Sequence, residues 1–143
     1  MLIIKKGNLL EAKENIICHQ VNENGVMGGG IAKQIADKYP NVEKEYKHIV
    51  EIEEDVIGMF HWVNIENDKY IANLFTQKEY ETQYNKVKEL FNHTKTLAKE
   101  RNYSIATCYN YGCGIANGDW REVEKILIDI FDDYDITIYK YEV

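Results

Sequence analysis

The 143-residue sequence has no long hydrophobic run. No apolar stretch approaches the roughly 20 residues that a transmembrane helix requires, so we expect no membrane-spanning segment. The N-terminal residues also lack the apolar core and the cleavage site of a secretory signal peptide. The length suits one domain with one hydrophobic core, and we expect residues 1–143 to form it.

Cysteine is scarce, and its spacing excludes the usual disulfide and zinc frameworks. Cys18, Cys108 and Cys113 are an odd number of cysteines without a CxxC pair, so we expect reduced thiols in a cytoplasmic protein. The histidines other than His19 show no ligand spacing with one another or with the cysteines. We therefore expect no metal site, and nothing in the sequence indicates a cofactor.

Positive charge is also in deficit. The chain has 17 Lys and Arg residues against 24 Asp and Glu residues, which gives a formal net charge of −7. General binding to nucleic acid needs a basic face, so this composition argues against it. If the ligand is an anion, backbone amides rather than a cluster of basic side chains must supply most of the binding.

The two common nucleotide-binding motifs, GxGxxG and the P-loop with Gly-Lys-Ser/Thr, are absent. The chain has instead a strand-like segment at residues 15–21, a loop that ends in three glycines at residues 28–30, and a helical pattern at residues 31–39 that Pro40 ends. Glycines let the backbone approach a ligand closely, and the first amides of a helix carry a partial positive charge. The segment therefore predicts a phosphate or diphosphate site, and a simple tight turn is the alternative.

Polar residues at the end of this strand favour the binding interpretation. Residues 19–24 include one histidine, one glutamine and two asparagines, and open α/β sheets bind ligands outside the carboxyl ends of strands. A second glycine loop, at residues 110–118, leads into another helix, whose start Asp119 and Glu122 mark as a capping box. The two loops can face each other across one cleft, which suits an extended ligand with a diphosphate at its centre. Cys113 in this loop could be a nucleophile, but the sequence names no activating base, and we favour a small residue in a tight loop.

The alternation of strand-like and helical patterns predicts an α/β fold with a layered sheet. A hairpin turn at Asn67 and Asp68 implies that the sheet is mixed rather than wholly parallel. The predicted strands are residues 2–5, 15–21, 56–63, 70–75, 103–109 and 135–141. The predicted helices are residues 31–39, 41–52, 84–99 and 120–131, and residues 76–82 are a predicted loop.

Taken in order, these motifs resemble the macro domains, a family that binds ADP-ribose. Residues 19–22 occupy the place of the family's Asn-Ala-Ala-Asn strand end, and GGGIA at residues 28–32 resembles its glycine loop. The segments that match run from residue 3 to residue 139. Within the family, Trp120 and the Tyr39-Pro40 pair are features that this sequence shares with the subgroup of the ADP-ribose 1″-phosphate phosphatases and the terminal ADP-ribose protein glycohydrolases. The resemblance implies a three-layer α/β/α sandwich around a mixed, mostly parallel sheet of about six strands.

The resemblance also implies a role for each residue that matches. The implied ligand-binding residues are Asn8 and Tyr139 at the adenine, Gly28, Gly29, Gly30 and Ile31 at the distal ribose and one phosphate, and Gly112, Cys113, Gly114, Ile115 and Ala116 around the diphosphate. Asn22 would contact the distal ribose hydroxyls and, with His19, act on the bond to be hydrolysed. His19 could accept a proton from an attacking water, and a buried, hydrogen-bonded core histidine is the alternative.

Three positions depart from the catalytic patterns of the family. Ala32 and Ala116 stand where two macro domain subgroups have an aspartate. Gln77 stands where the glycohydrolase subgroup has a lysine, and Lys78 follows one residue later. Without a lysine at that place, the covalent Schiff-base route of that subgroup is not expected unless Lys78 shifts register.

Two functions follow from these observations. The first is an enzyme that binds ADP-ribose or a derivative and hydrolyses a substituent of its distal ribose, either a 1″-phosphate, an acetyl ester, or an ADP-ribosyl link to protein or nucleic acid. The second is a non-catalytic ADP-ribose reader or scavenger, which the three departures favour. We expect a monomer, and the Lys-, Asn-, Ile- and Glu-rich composition favours a bacterial or phage source.

Overall fold

A computed structural model describes residues 1–114 and 116–141, and Ile115 and residues 142–143 lie outside the described part. The strands are β1 (Leu2–Lys6), β2 (Ile16–Asn22), β3 (Phe60–Glu66), β4 (Lys69–Lys78), β5 (Glu81–Thr82), β6 (Ile105–Cys108) and β7 (Ile136–Lys140). The helices are α1 (Gly30–Lys38), α2 (Pro40–Ile52), α3 (Tyr84–Arg101) and α4 (Trp120–Ile130), and a single 3-10 turn covers Leu9–Glu11. Within the described part, none of these helices is both long and apolar enough to cross a lipid bilayer.

The strands form one sheet in the order β1-β7-β6-β2-β4-β3, and the two-residue β5 pairs with β4 outside that path. The pairs from β1 through to β4 are parallel, whereas β3 and β5 run antiparallel to β4. The predicted mixed, mostly parallel sheet is confirmed, with seven strands where about six were expected. The β3–β4 hairpin turns at Asn67 and Asp68 as predicted, since Glu66 pairs with Lys69.

Helices cover both faces of the sheet, which gives the three layers that the resemblance implied. Along β2, Ile16 and Cys18 belong to the core cluster beneath α3 and α4, while Ile17 and Val21 belong to the cluster beneath α1 and α2. Because successive side chains of a strand point to opposite faces, this alternation assigns one pair of helices to each face. All four of these residues are buried, so the sheet has a core on each side.

Two predicted boundaries were wrong. β3 begins at Phe60 rather than at Val56, because residues 56–59 form a turn in which the Met59 amide donates to the Val56 carbonyl at 2.9 Å. The predicted loop at residues 76–82 is instead the end of β4, a tight turn and the short strand β5. The second correction places a hairpin beside the second glycine loop.

Pro40 marks the junction between α1 and α2. It ends α1 as predicted, and it also lies in the first turn of α2, where its missing amide hydrogen needs no helical partner. Tyr39, between the two helices, caps α1 through its amide, which donates to the Ile35 carbonyl. The junction keeps α1 and α2 in contact on one face of the sheet, where α1 also contacts β2.

Candidate ligand-binding cleft

A cavity of about 640 Å³ opens at the carboxyl ends of β2, β4 and β6. Open α/β sheets bind their ligands at this edge. The lining consists of residues 19–22 at the end of β2, Asn24 and Val26, residues 28–32 at the start of α1, Gln77, Glu79 and Tyr80 at the β4–β5 turn, and residues 108–114 and 116. Both glycine loops that the sequence indicated therefore lie on one cavity.

The first glycine loop presents the N-terminus of α1 to this cavity. Gly29 is the N-cap of α1, and no side chain caps the first turn. Gly30 has φ +56, and a Cβ there would meet no atom within 4 Å, so backbone conformation rather than crowding favours glycine. Gly29, Gly30 and Ile31 all line the cavity. The unpaired amides and the positive end of the helix dipole suit an anionic ligand.

The side-chain amide of Asn22 is largely occupied within its own loop. Its Oδ1 lies 2.6 Å from the Tyr46 hydroxyl and accepts a hydrogen bond from the Asn24 amide at 2.9 Å. Its Nδ2 donates to the Val26 carbonyl at 3.1 Å. An asparagine amide has two N–H groups, so one of them remains available for a hydroxyl of a ligand.

The second glycine loop is held against the β4–β5 hairpin. Thr82 Oγ1 donates to the Gly112 carbonyl at 2.6 Å, and the Gly118 amide donates to the same oxygen at 2.9 Å. Gly112 has φ +72, and a Cβ there would lie 2.8 Å from Thr82 Oγ1. A Cβ at Gly118 would collide with the Gly112 carbonyl oxygen. Ile115, which was predicted to bind the diphosphate, lies outside the described residues.

The cysteines of the cleft are not activated nucleophiles. Burial raises the pKa of Cys108 to about 11. Burial, followed by the nearby carboxylate of Asp119, also raises the pKa of Cys113, whose thiol donates to the Tyr111 carbonyl at 3.2 Å. Asp119 itself caps α4 by accepting from the Arg121 amide. The part of the chain that the structure describes holds no group of three His, Cys, Asp or Glu side chains placed to bind a metal ion.

His19 lines the cavity although it is only 1% exposed. Its Nε2 lies 2.5 Å from Oδ1 of Asn73, whose Nδ2 donates to Nδ1 of His61 at 3.1 Å. Burial lowers the pKa of His19 to about 4, and the hydrogen bond to Asn73 opposes this effect only in part. Its Nδ1 has no hydrogen-bond partner among the described residues. The structure therefore places at the cleft a neutral imidazole that is buried and hydrogen-bonded, yet keeps one unpaired acceptor.

Charge is nearly absent from the lining of the cavity. Glu79 is the one carboxylate or cationic side chain among the described lining residues. Gln77, which was predicted to stand where the glycohydrolase subgroup has a lysine, lines the cavity, and its Nε2 donates to the Glu79 carbonyl at 2.8 Å. Lys78 is exposed and does not belong to the lining, so it does not take the place of that lysine. Glu79 and the exposed Tyr80 are cleft residues that the sequence reasoning missed.

The two residues predicted to bind adenine are not part of the described lining of the cavity. Asn8 caps the 3-10 turn, because its Oδ1 accepts from the Leu10 amide at 3.0 Å. The Tyr139 hydroxyl donates to the Glu14 carboxylate at 2.6 Å, and its ring lies 3.5 Å from where a Cβ of Gly7 would be. The structure thus brings Tyr139 close to the Gly7-Asn8 segment, and the adenine roles of both residues stay predictions.

Several known proteins are similar to this chain. The model of the Macro domain family matches residues 18–127. An ADP-ribose 1″-phosphate phosphatase of Saccharomyces cerevisiae is 28% identical, over 94% of this chain and 96% of its own length. A DNA ADP-ribosyl glycohydrolase of Mycobacterium tuberculosis is 29% identical over 97% of this chain, which spans only 42% of that protein's length. The solved macrodomain of Mycobacterium tuberculosis DarG has a TM-score of 0.85 and 30% identity, over 97% of both chains.

Proposed function

Because this chain belongs to the macro domain family, we propose that its cleft binds ADP-ribose or a derivative and hydrolyses a substituent of the distal ribose. The observation that carries the proposal is a single cavity lined by two glycine loops, one of which opens the N-terminus of α1 to it. Backbone amides of both loops suit a diphosphate. The described lining contains no lysine or arginine that could bind its negative charge instead. The substituent is a 1″-phosphate, an acetyl ester, or the ADP-ribosyl link to a macromolecule.

The names of two relatives support hydrolysis as the reaction class. One is an ADP-ribose 1″-phosphate phosphatase, and this chain spans nearly its whole length. The other is a DNA ADP-ribosyl glycohydrolase, of which this chain spans less than half. Both names describe the removal of a group that is joined to ADP-ribose, so the shared reaction class is better supported than either leaving group.

In the proposed reaction, water attacks the bond at the distal ribose. His19 is neutral at neutral pH, because burial lowers its pKa to about 4, and its Nδ1 accepts a proton from that water. The proton then passes to the leaving group, which regenerates the imidazole. The remaining N–H of Asn22 holds a ribose hydroxyl. No covalent route is proposed, because the resemblance predicts the lysine at residue 77, where this chain has a glutamine, and the described lining contains no lysine.

A non-catalytic ADP-ribose reader is the second candidate, and the composition of the lining favours it. Ala32, Gln77 and Ala116 all line the cavity, and the resemblance predicts reactive side chains at these three positions in related subgroups. A reader would use the same two glycine loops for the diphosphate. Binding of ADP-ribose is therefore expected under both proposals, and only turnover separates them.

Calorimetric titration with ADP-ribose tests the cleft. Gly29→Leu should abolish binding, because a bulky side chain at the N-cap of α1 would fill the space above its first amides. Asn92→Leu, an exposed position on α3 outside the cleft, is the matched control and should bind as the parent chain does. Unchanged affinity in Gly29→Leu would mean that the anion binds elsewhere.

Turnover is tested with ADP-ribose 1″-phosphate, a peptide ADP-ribosylated on glutamate, and ADP-ribosylated DNA. An enzyme should convert at least one of the three, and His19→Ala should remove that turnover while it keeps the affinity for ADP-ribose. A reader should convert none of them and still bind ADP-ribose. Conversion by His19→Ala at the parent rate would remove His19 from the proposed mechanism.

The protein is also proposed to act as a monomer in a reducing cytoplasm. Its three cysteines are free thiols, which fits that compartment. Light scattering of the purified chain tests the oligomeric state, and a stable dimer would overturn this part of the proposal.

A further inference from the structure

Three polar side chains form a hydrogen-bonded line across one face of the sheet. His19 on β2 lies opposite Asn73 on β4, and Asn73 lies opposite His61 on β3. The bonds measure 2.5 Å from His19 Nε2 to Asn73 Oδ1 and 3.1 Å from Asn73 Nδ2 to His61 Nδ1. The line begins at the cavity, which His19 lines, and ends on the edge strand of the sheet.

The Asn73 amide has one acceptor group and one donor group, so its two bonds determine which ring nitrogens carry hydrogen. Its Oδ1 accepts, so Nε2 of His19 carries the hydrogen and Nδ1 keeps a lone pair. Its Nδ2 donates, so Nδ1 of His61 also keeps a lone pair. While Nδ1 of His61 keeps its lone pair, the amide stays in this orientation, because the rotated amide would direct its oxygen at that lone pair. The reverse orientation would require a hydrogen on Nδ1 of both rings, so the two tautomers are coupled through Asn73.

The lone pair on Nδ1 of His19 has no partner among the described residues, although the atom is buried. Buried polar atoms are nearly always hydrogen-bonded in native proteins, so a donor supplied from the cavity would complete the line. Asn73 is itself fully buried, and its neighbours along β4 on the same face of the sheet are the buried Ile71 and Phe75. A polar side chain is tolerated there only when its hydrogen bonds are made.

We propose that Asn73, held in place by His61, is a positioning residue for His19. It keeps His19 in the tautomer whose Nδ1 accepts a hydrogen bond in the cleft, either from a distal ribose hydroxyl or from the water that the ligand holds. This inference deepens the proposed function and rests on it for the identity of the ligand. The line of three side chains and the unpaired acceptor at its end are the observations that carry it.

Nitrogen-15 NMR of histidine-labelled protein tests the tautomer independently of activity. In the free protein at neutral pH, His19 is expected to carry its hydrogen on Nε2 and none on Nδ1. Addition of ADP-ribose should shift the Nδ1 resonance of His19, because that nitrogen gains a donor. A hydrogen on Nδ1, an Nδ1 resonance that does not move when ADP-ribose binds, or the absence of any ADP-ribose binding would overturn the proposal.

Kinetics of matched variants test the positioning role. Asn73→Leu removes both bonds at nearly constant volume, and we expect kcat to fall about tenfold or more, because a histidine in mixed tautomers is a poorer base. The affinity for ADP-ribose should fall less than kcat does, by about fivefold at most, since the two glycine loops are untouched and a single hydrogen bond contributes about 1 kcal/mol. His61→Leu should act in the same direction, and His61→Gln, which keeps an acceptor, should restore most of the activity. If Asn73→Leu does not fold, the comparison of kcat between His61→Leu and His61→Gln tests the proposal.

Leu74→Val is the control for a general loss of stability. Leu74 is fully buried on β4 but belongs to the core cluster on the other face of the sheet. Its truncation should lower stability and leave both kcat and the His19 tautomer unchanged. Equal kcat in Asn73→Leu and the parent chain, or an equal loss in Leu74→Val, would overturn the positioning role. If the Nδ1 resonance of His19 shifts when ADP-ribose binds but no substrate is turned over, the proposal of hydrolysis is wrong, and the positioning of His19 by Asn73 remains supported.

Discussion

The Tyr46 hydroxyl and Oδ1 of Asn22 lie 2.6 Å apart at the point where β2 leaves the sheet. The same hydroxyl accepts a hydrogen bond from the Gly25 amide at 3.1 Å. Tyr46 is fully buried on α2, and burial raises its pKa to about 12, so the hydroxyl keeps its hydrogen at neutral pH. Tyr46 on α2 thus holds both Asn22, at the end of β2, and the loop that follows it.

Tyr46→Phe should therefore weaken both the fold and the binding of ADP-ribose. The variant leaves the Gly25 amide and Asn22 Oδ1 without their common partner, which we expect to lower the free energy of unfolding by about 1–2 kcal/mol. The loop loses its anchor, so the affinity for ADP-ribose should fall about three- to tenfold. Urea unfolding and calorimetric titration measure the two effects.

Tyr134→Phe is the matched control, since the Tyr134 hydroxyl donates to the Tyr103 carbonyl outside the cleft. It should lower stability without a change in affinity. If Tyr46→Phe loses stability but binds ADP-ribose as tightly as the parent chain, the hydroxyl does not set the conformation of the binding loop.

Two glycines of the second loop should respond differently to the same small change. A methyl group at Gly118 would collide with the Gly112 carbonyl oxygen, whereas a methyl group at Gly114 would meet no atom within 4 Å. Gly118→Ala should therefore lower the unfolding temperature by several degrees, because a loss of about 1 kcal/mol has that effect in a domain of this size. Gly114→Ala should leave the unfolding temperature unchanged and weaken binding only, since Gly114 lines the cavity.

Thermal unfolding and ADP-ribose titration of the two glycine variants separate these outcomes. Equal unfolding temperatures would contradict the close approach of Gly118 to Gly112. An unfolding temperature that falls in Gly114→Ala would contradict the open space that the structure places at this residue.

His19 should make the fold sensitive to mild acid. Burial lowers its pKa from an ordinary value of 6.5 to about 4, so the unfolded chain takes up a proton at a pH where the folded chain does not. The stability from this residue is complete above about pH 6.5 and is lost as the pH falls towards 4, by about 3 kcal/mol in total. Burial lowers the pKa of His61 as well, so its effect has the same sign.

The measurement is the urea midpoint of the parent chain and of His19→Phe at several values between pH 7 and pH 4. The difference between the two curves cancels the titration of the rest of the chain. We expect the parent midpoint to fall relative to that of the variant as the pH falls, because the variant has no imidazole to protonate. A difference that is independent of pH would mean that folding does not lower the pKa of His19.

The glycine loops could be predicted from the sequence because their signals are local, with three glycines at residues 28–30 before a helical pattern and a second cluster at residues 110–118. The line from His19 to His61 could not be predicted, because it depends on the register of three strands. A slip of one residue would move Asn73 to the other face of the sheet. No pattern in one strand contains that information.

The β4–β5 hairpin was missed for a different reason. The turn residue Glu79 has φ +55, a conformation for which glycine or asparagine is the usual signal in a two-residue hairpin loop. The segment TQKEYET carries neither residue, and its polar composition is typical of a loop. The contacts of Thr82 with the second glycine loop hold the hairpin in place, and such contacts between distant segments are invisible in the sequence.

Glu79 places a negative charge on a cleft whose proposed ligand carries a diphosphate. It is exposed and lines the cavity, so its carboxylate repels the ligand through solvent rather than through a dry interior. Glu79→Gln removes the charge and keeps the shape of the side chain. We expect about twofold tighter binding of ADP-ribose at low ionic strength, because two charges some 8 Å apart in water interact by about 0.5 kcal/mol.

The salt dependence identifies the cause of that gain. The advantage of Glu79→Gln should disappear near 1 M salt, where the Debye length is about 3 Å. Glu89→Gln, on α3 outside the cleft, changes the net charge equally and should leave the affinity nearly unchanged. Weaker binding in Glu79→Gln would reverse the interpretation, because it would mean that the carboxylate accepts hydrogen bonds from ribose hydroxyls and that the strained turn holds it there for the ligand.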